Sequence, residues 1–178
     1  MMIYTTLNKI RAHSPCGEGW AKLLRHLGKT QADDEPLALG TILDSNGLDD
    51  ALWCLRAVDG HQREMRLYAV WCARQVQHLM ADPRSLAALD VAERYANGEA
   101  TAEDLQAAWD AAWDVAGPVA WVAAKAVAND AAKAARDAAW DAAWMAAEDA
   151  AWDPARDAAR DAQTAEFRRV FCKEEVTA

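Results

Sequence analysis

The chain has 178 residues, 53% of them hydrophobic and 26% charged, which excludes simple disorder and a collagen-like or disulfide-rich composition. Its formal net charge at pH 7 is −9, and an acidic surface repels nucleic-acid phosphates and anionic membranes, so we expect no direct binding to either. Alanine accounts for 43 residues, 27 of them within residues 101–162, and nine tryptophans outnumber the three tyrosines and two phenylalanines.

The first hundred residues show helical spacing of apolar side chains, interrupted by glycine and proline. Short helices are predicted over residues 19–27 and 48–58, the first ending at Gly28. The pattern over residues 61–80 is the strongest. Because apolar residues there fall on one broad face and also outside it, we predict that this helix is packed on more than one side and is the central element.

The second half of the sequence contains clear signals for helix starts and stops. Asp82–Pro83 predicts an N-cap followed by proline at the first helical position, and Thr101 and Asp104 have the spacing of a capping box. A single helix over residues 118–152 would be about 52 Å long, whereas a compact chain of this size is roughly 40 Å across. We therefore predict a break at Asn129–Asp130, because both residues prefer caps to helix interiors, and a last helix that begins at Pro154.

These patterns predict an all-α fold, a multi-helix bundle of about eight to nine helices. No segment shows sustained alternation with a period of two, so no β-sheet is expected. Residues 1–100 are predicted to form an N-terminal helical part with the central helix 61–80. Residues 101–178 are predicted to supply acidic helices rich in alanine and tryptophan that pack on it within one continuous domain.

The cysteines and histidines show no pattern typical of a catalytic or metal site. The four cysteines form no C-x-x-C pair, which argues against a zinc ribbon, a thioredoxin-like motif and a disulfide scaffold. No signal peptide or membrane-spanning run is recognisable. We therefore expect a cytoplasmic protein with free thiols, without cofactor or metal, and without enzymatic activity.

The tryptophans of the alanine-rich half are expected to lie mostly in the core. Trp109 and Trp113 fall on the apolar arc of their helix, and Trp140 and Trp144 border an arc that consists of alanine alone. Alanine lets helix backbones approach closely, so an occasional indole is expected to fill the gaps that remain.

One acidic face is the candidate site for binding a partner. Residues 101–178 hold 15 acidic and 8 basic side chains, whereas residues 1–100 hold 13 and 11. An exposed tryptophan among carboxylates has the composition of a hot spot for a basic protein; the alternative is that Trp152 packs beneath the last helix. The candidate partner-binding residues are Asp137, Asp141, Glu148, Asp149 and Trp152.

Several segments resemble a family of small phage and prophage proteins that are named as immunity proteins, by analogy with the immunity partners of polymorphic toxins. The resemblance is carried by LYAVWCARQV at residues 67–76, DPR at 82–84 and AERYANG at 92–98, followed by helices with alanine pairs. It covers about residues 60–165, and residues 16–58 are also similar to phage-encoded proteins. Where the family's alanine-rich helices often carry histidine, this chain has tryptophan, aspartate and arginine. The resemblance implies an all-helical fold and a binding role, and it implies no catalytic residues.

These observations together favour a non-catalytic cytoplasmic protein that binds and neutralises a basic partner protein, either a toxin or a component of bacterial defence. One alternative is an acidic mimic of nucleic acid that blocks a DNA- or RNA-binding protein. Another is a structural protein that associates with itself, for example as a homodimer.

Overall fold

The computed structural model describes the backbone of residues 2–115, 118–128, 130–149 and 152–173, and their side chains except those of residues 118, 119, 148, 149, 152 and 153. Within these ranges the chain forms ten α-helices, two short 3-10 turns and one two-stranded ladder. The predicted all-α fold class is thereby confirmed. No described helix is both long enough and apolar enough to span a bilayer.

The chain divides into two compact units. The first contains Met1–His61 and Phe167–Ala178, and the second contains Gln62–Glu166. The division does not fall at residue 100, where the composition changes. Helices on both sides of residue 100 share one core cluster, to which Val70 and Leu105 both belong.

The first unit combines short helices with a minimal ladder. Its elements are β1 (Tyr4–Thr5), α1 (Leu7–Ala12), α2 (Gly17–Leu27), β2 (Leu37–Ala38), α3 (Leu39–Asn46), α4 (Leu48–Cys54) and the end of α10 (Trp152–Phe171). Gly28 adopts the left-handed conformation with a φ of 65° and ends α2, as predicted. Large side chains fill the core, namely Ile3, Leu7, Ile10, Leu23, Leu39, Ile42, Leu52, Leu55, Phe167 and Phe171.

The prediction that the chain contains no sheet was wrong for one short ladder. Strands β1 and β2 pair antiparallel, and an isolated bridge joins Met2 to Cys172. The Ile3 N–H also donates to the Phe171 carbonyl oxygen at 3.0 Å. Two-residue strands are too short to produce a detectable alternation in the sequence, and their partners lie far away along the chain.

The described part of the second unit contains helices joined by turns and has no strand. It contains α5 (Gln62–Gln75), α6 (Pro83–Ala96), α7 (Ala102–Trp113), α8 (Pro118–Ala126), α9 (Ala131–Asp149) and most of α10. The helix predicted over residues 61–80 ends as an α-helix at Gln75, and a 3-10 turn follows at Gln77–Leu79. The broad apolar face predicted for residues 61–80 is half-buried at Leu79 and buried at its other members, Met65, Tyr68, Ala69, Cys72, Ala73, Val76 and Met80.

The predicted caps are present in the structure. Asp82 accepts from the Arg84 N–H at the start of α6, and Thr101 and Asp104 form the capping box of α7.

The break between α8 and α9 confirms the interruption predicted near Asn129–Asp130. The Asp130 side chain accepts from the Lys133 N–H at 2.9 Å and caps the start of α9, while Asn129 lies outside the described residues. Helix α10 begins at Trp152, two residues before the predicted start at Pro154. Proline is tolerated there because the first N–H groups of a helix have no partner within the helix.

Alanine dominates the core of the second unit. In α8 and α9, the buried side chains larger than alanine are Val122 and Met145 among the described residues. A methyl group projects little from the helix surface, so helices that meet through alanine approach closely. Such contacts leave little free volume for a larger side chain.

Ala124 and Ala107 offer a test of this close packing. Ala124 on α8 is fully buried, whereas Ala107 on α7 is exposed. We expect Ala124→Leu to lower the free energy of unfolding by about 1–3 kcal/mol, because the added carbons overfill the core. Ala107→Leu should change it by less than about 0.5 kcal/mol. Urea denaturation measures both values, and equal effects of the two variants would contradict close packing at Ala124.

Candidate functional site

Asp137, the first residue of the predicted acidic face, is paired with three cations. Its carboxylate lies 2.7 Å from Lys133 Nζ, 2.8 Å from Arg136 Nη2 and 3.4 Å from Lys125 Nζ, and its side chain is only 14% exposed. Burial alone would raise the pKa of this carboxyl. The hydrogen bonds from Lys133 and Arg136 and the charges of Arg136 and Lys125 nevertheless hold the pKa below its ordinary value. Asp137 therefore links α8 to α9 and contributes little net negative charge to the surface.

Asp141 lies one turn further along α9 and is half-buried. Burial raises the pKa of its carboxyl; the positive charges of Lys125 and Lys133 oppose this effect, and the negative charge of Asp137 adds to it. Asp141 is thus a carboxylate partly withdrawn from water. The other three predicted residues, Glu148, Asp149 and Trp152, have side chains that lie outside the described residues.

Four tryptophans of the second unit lie at the surface, so the expectation that they fill gaps in the core was wrong. Trp113 is 46% exposed, Trp121 50%, Trp140 59% and Trp144 44%, and Trp109 is half-buried. The cause is the alanine core, since helices that meet through methyl groups leave no space for an indole between them.

Three of these rings form a continuous stack across two helices. The ring centroids of Trp109 and Trp113 are 5.0 Å apart with planes inclined by 15°. Those of Trp113 and Trp121 are 5.7 Å apart with planes inclined by 7°. Stacked aromatic pairs contribute roughly 0.5–1.5 kcal/mol beyond their burial. The tryptophan stack, Trp109–Trp113–Trp121, is therefore a preorganised apolar surface, and the rings of Trp113 and Trp121 in it are about half exposed to water.

An open groove adjoins the tryptophan stack at Trp109. It has a volume of about 280 Å³ and is lined by Gln106, Trp109, Ala128, Asp130 and Lys133. A buried arginine supports this region, because Arg66 Nη1 donates to the Ala128 carbonyl oxygen at 2.7 Å. The groove places a carboxylate and an ammonium group beside one edge of the aromatic surface.

Exposed carboxylates flank the tryptophan stack. Asp110 and Asp114 directly follow Trp109 and Trp113 in the sequence, and both are exposed. Helix α7 and its C-cap residue Asp114 carry four acidic side chains and no basic one. Part of the exposed negative charge of this unit is therefore carried by residues adjacent in sequence to the stacked rings, whereas the predicted residue Asp137 is neutralised by ion pairs.

The described residues hold no cluster of three or more histidine, cysteine or carboxylate side chains placed to bind a metal ion. Cys54 and Cys72 are buried, and burial raises the pKa of both thiols, that of Cys54 to about 12. Both thiols are therefore protonated at neutral pH, and a protonated thiol is a poor nucleophile. None of the four cysteines forms a disulfide.

Sequence reasoning missed the tryptophan stack because a helical wheel records direction and not available volume. Trp109 and Trp113 do lie on the apolar arc of α7. Trp109 packs against the core cluster, as the wheel predicts. Trp113 does not, because the neighbouring helices meet through alanine and leave no space for a second indole. The signal present in the sequence was the alternation of tryptophan with alanine pairs.

The two α9 carboxylates are expected to affect stability with opposite signs. Asp137 has a pKa below its unfolded value, so its stabilising effect is present at neutral pH and is lost as the pH falls through its folded-state pKa. Asp141 has a raised pKa, so its charged form destabilises the fold at neutral pH, and this effect disappears as the pH falls through that pKa.

Asparagine at each position tests this difference with the same change in net charge. At pH 7, Asp137→Asn should lower the free energy of unfolding by about 1.5–3 kcal/mol, because Lys133 and Arg136 lose the negative charge of their acceptor. Asp141→Asn should raise the melting temperature. Thermal denaturation at pH 7 measures both, and shifts of the same sign would show that the described ion pairs do not control stability.

Comparisons with known protein families, with curated proteins and with solved structures found no match to this chain. The chemistry of the tryptophan stack, its flanking carboxylates and its groove is therefore the basis for assigning a function.

Proposed function

We propose that the chain is a non-catalytic protein that binds and neutralises a basic partner protein, and that the tryptophan stack is the centre of the contact. The observation that carries this proposal is the stack itself. Trp113 and Trp121 are 46% and 50% exposed and lie almost parallel. Rings ordered in this way before binding lose little conformational freedom when a partner covers them.

The free energy available at this surface is large. A half-exposed indole leaves on the order of 100 Å² of apolar surface in water, worth about 2.5 kcal/mol when it is buried. The two exposed rings of the stack, Trp113 and Trp121, therefore retain roughly 5 kcal/mol of hydrophobic free energy. Tryptophan is also among the residues most enriched at binding hot spots, which favours a protein as the occupant.

The charge beside the stack favours a basic partner. Asp110 and Asp114 are exposed next to Trp109 and Trp113, and such carboxylates attract a positively charged surface and accelerate its association at low salt. Arginine both stacks on indole faces and pairs with carboxylates. The contact surface of the partner is therefore expected to present arginine.

The resemblance to phage and prophage immunity proteins supports a toxin or a component of bacterial defence as the class of partner. A protein that neutralises such a target acts by covering its surface and needs no catalytic group of its own. We place this function in the cytoplasm, a compartment that suits four cysteines without disulfides.

The alternative of a nucleic-acid mimic requires a continuous row of exposed carboxylates. The described part of α9 gives it little support, because Asp137 is ion-paired and Asp141 is half-buried. Self-association is favoured by one specific observation, since the exposed tryptophans would also suit a second copy of this chain.

The Trp113→Ala/Trp121→Ala double variant tests the proposal. The baits are wild type, the double variant and Leu86→Ala, which alters an exposed apolar residue on α6. Each bait is used for affinity capture from a bacterial lysate, and the captured proteins are quantified by mass spectrometry. We expect wild type and Leu86→Ala to retain the same basic protein and the double variant to lose it. The captured protein is then purified and titrated by calorimetry, where loss of two hot-spot residues should weaken binding at least about tenfold.

Three outcomes would contradict the proposal. The double variant could bind the captured protein as tightly as wild type does, although circular dichroism shows that all three baits are folded. DNA could compete for the captured protein at the same site, which would favour the mimic. Sedimentation could show a homodimer that the double variant abolishes, which would assign the tryptophan stack to a second copy of this chain.

A further inference from the structure

A cavity lies within the first unit, beside helices α2, α3 and α4. It has a volume of about 90 Å³; a single water needs roughly 10–15 Å³, so the cavity is large enough for a small organic group. Its apolar walls include Ile10, Trp20, Leu23, Ile42 and Trp53. Ligand sites are typically concave and apolar with a few convergent polar groups, and here the charged group is the Asp50 carboxylate.

A neutral amide holds the Asp50 carboxylate in place. Asn46 Nδ2 donates to Asp50 Oδ2 at 2.7 Å and to the Gly19 carbonyl oxygen at 2.8 Å, and the Ser45 hydroxyl donates to Asn46 Oδ1 at 2.7 Å. Among the described residues, no cation forms an ion pair with Asp50. Asp50 is thus a positioned carboxylate in an apolar cavity with no positive partner from this part of the chain.

Gly19 allows the backbone of α2 to approach this carboxylate. A Cβ atom at position 19 would lie 2.7 Å from Asp50 Oδ2, so any other side chain would displace Asp50 or the helix. Glycine inside a helix costs roughly 0.5–1 kcal/mol relative to alanine. The close contact with Asp50 provides a physical reason for glycine at this position.

The aromatic walls suit a positively charged group. The faces of tryptophan attract cations, and Trp53 already has the guanidinium of Arg56 at 4.2 Å from its ring centroid. Trp20 is half-buried on another wall. Attraction between opposite charges is also stronger beside apolar walls than in bulk water, so Asp50 favours a cation here and disfavours an anion.

We propose that this cavity binds a small alkylammonium group. The ammonium pairs with Asp50, and the hydrocarbon stem lies against Leu23, Ile42 and the tryptophan rings. Two sources carry this chemistry, a free alkylamine and the lysine side chain of a peptide. The ammonium site lies in the first unit and the tryptophan stack lies in the second. The test of the ammonium site is therefore independent of the test of partner binding at the stack.

Titration of the full chain with two probes tests the site and separates the two sources. The probes are n-butylammonium and Nα-acetyl-lysine N-methylamide, and the readout is the indole N–H resonances of Trp20 and Trp53 in nitrogen-15 spectra. We expect saturable shifts of both resonances with at least one probe. Saturation by n-butylammonium alone assigns a free amine, and saturation by the acetyl-lysine amide assigns a lysine side chain. Neutral n-butanol should bind at least about tenfold more weakly, because it cannot form the ion pair.

Two aspartate variants test whether the negative charge of Asp50 is required for ammonium binding. Asp50→Asn keeps an oxygen that can accept from Asn46 but removes the negative charge, and it should weaken ammonium binding at least tenfold. Asp49→Asn makes the same change at the neighbouring exposed residue and should leave binding unchanged. Gly19→Ala, whose added Cβ would meet Asp50, should also lose binding while thermal denaturation reports whether it folds.

Two results would overturn the proposal. One is the absence of a saturable shift in the folded wild type with both probes up to about 10 mM, a concentration that saturates millimolar binding. The other is an Asp50→Asn variant that binds n-butylammonium as tightly as the Asp49→Asn control.

Discussion

Contact between helices through alanine methyl groups is the constraint on which the second unit depends. Buried alanine lets α8 and α9 approach their neighbours closely, and the same closeness excludes large side chains from the space between the helices. The tryptophans that accompany the alanines are therefore displaced to the surface, where three of them stabilise one another by stacking. The alanine core and the aromatic surface are thus two results of one packing rule.

The two units differ in core chemistry, and their candidate sites differ accordingly. Many of the buried side chains of the second unit are alanine, and four of its tryptophans lie exposed on a surface suited to a protein. The first unit is packed with leucine, isoleucine and phenylalanine, whose irregular shapes leave a cavity beside Asp50. The candidate site of the first unit is therefore a recess suited to a small ligand, and that of the second unit is an exposed aromatic surface.

Local signals made much of the fold predictable. The caps at Asp82 and Thr101 and the left-handed Gly28 act through atoms a few residues away, so the sequence alone contains the required information. The ladder between β1 and β2 and the exposure of Trp113 depend instead on segments that are distant along the chain. Asp137 shows both cases, because Lys133 lies one turn away on the same helix whereas Lys125 is contributed by α8.

The discontinuous sequence of the first unit has a consequence for synthesis on the ribosome. Ile3 and Met2 leave the ribosome early, but their backbone partners Phe171 and Cys172 follow only after the whole second unit has been made. At about 5–20 residues per second, this delay is roughly 10–30 s. The second unit comprises one continuous segment, and its helices α5 to α9 are made before Phe171. Its alanine core can therefore form before the backbone contacts that join Met2 and Ile3 to Cys172 and Phe171.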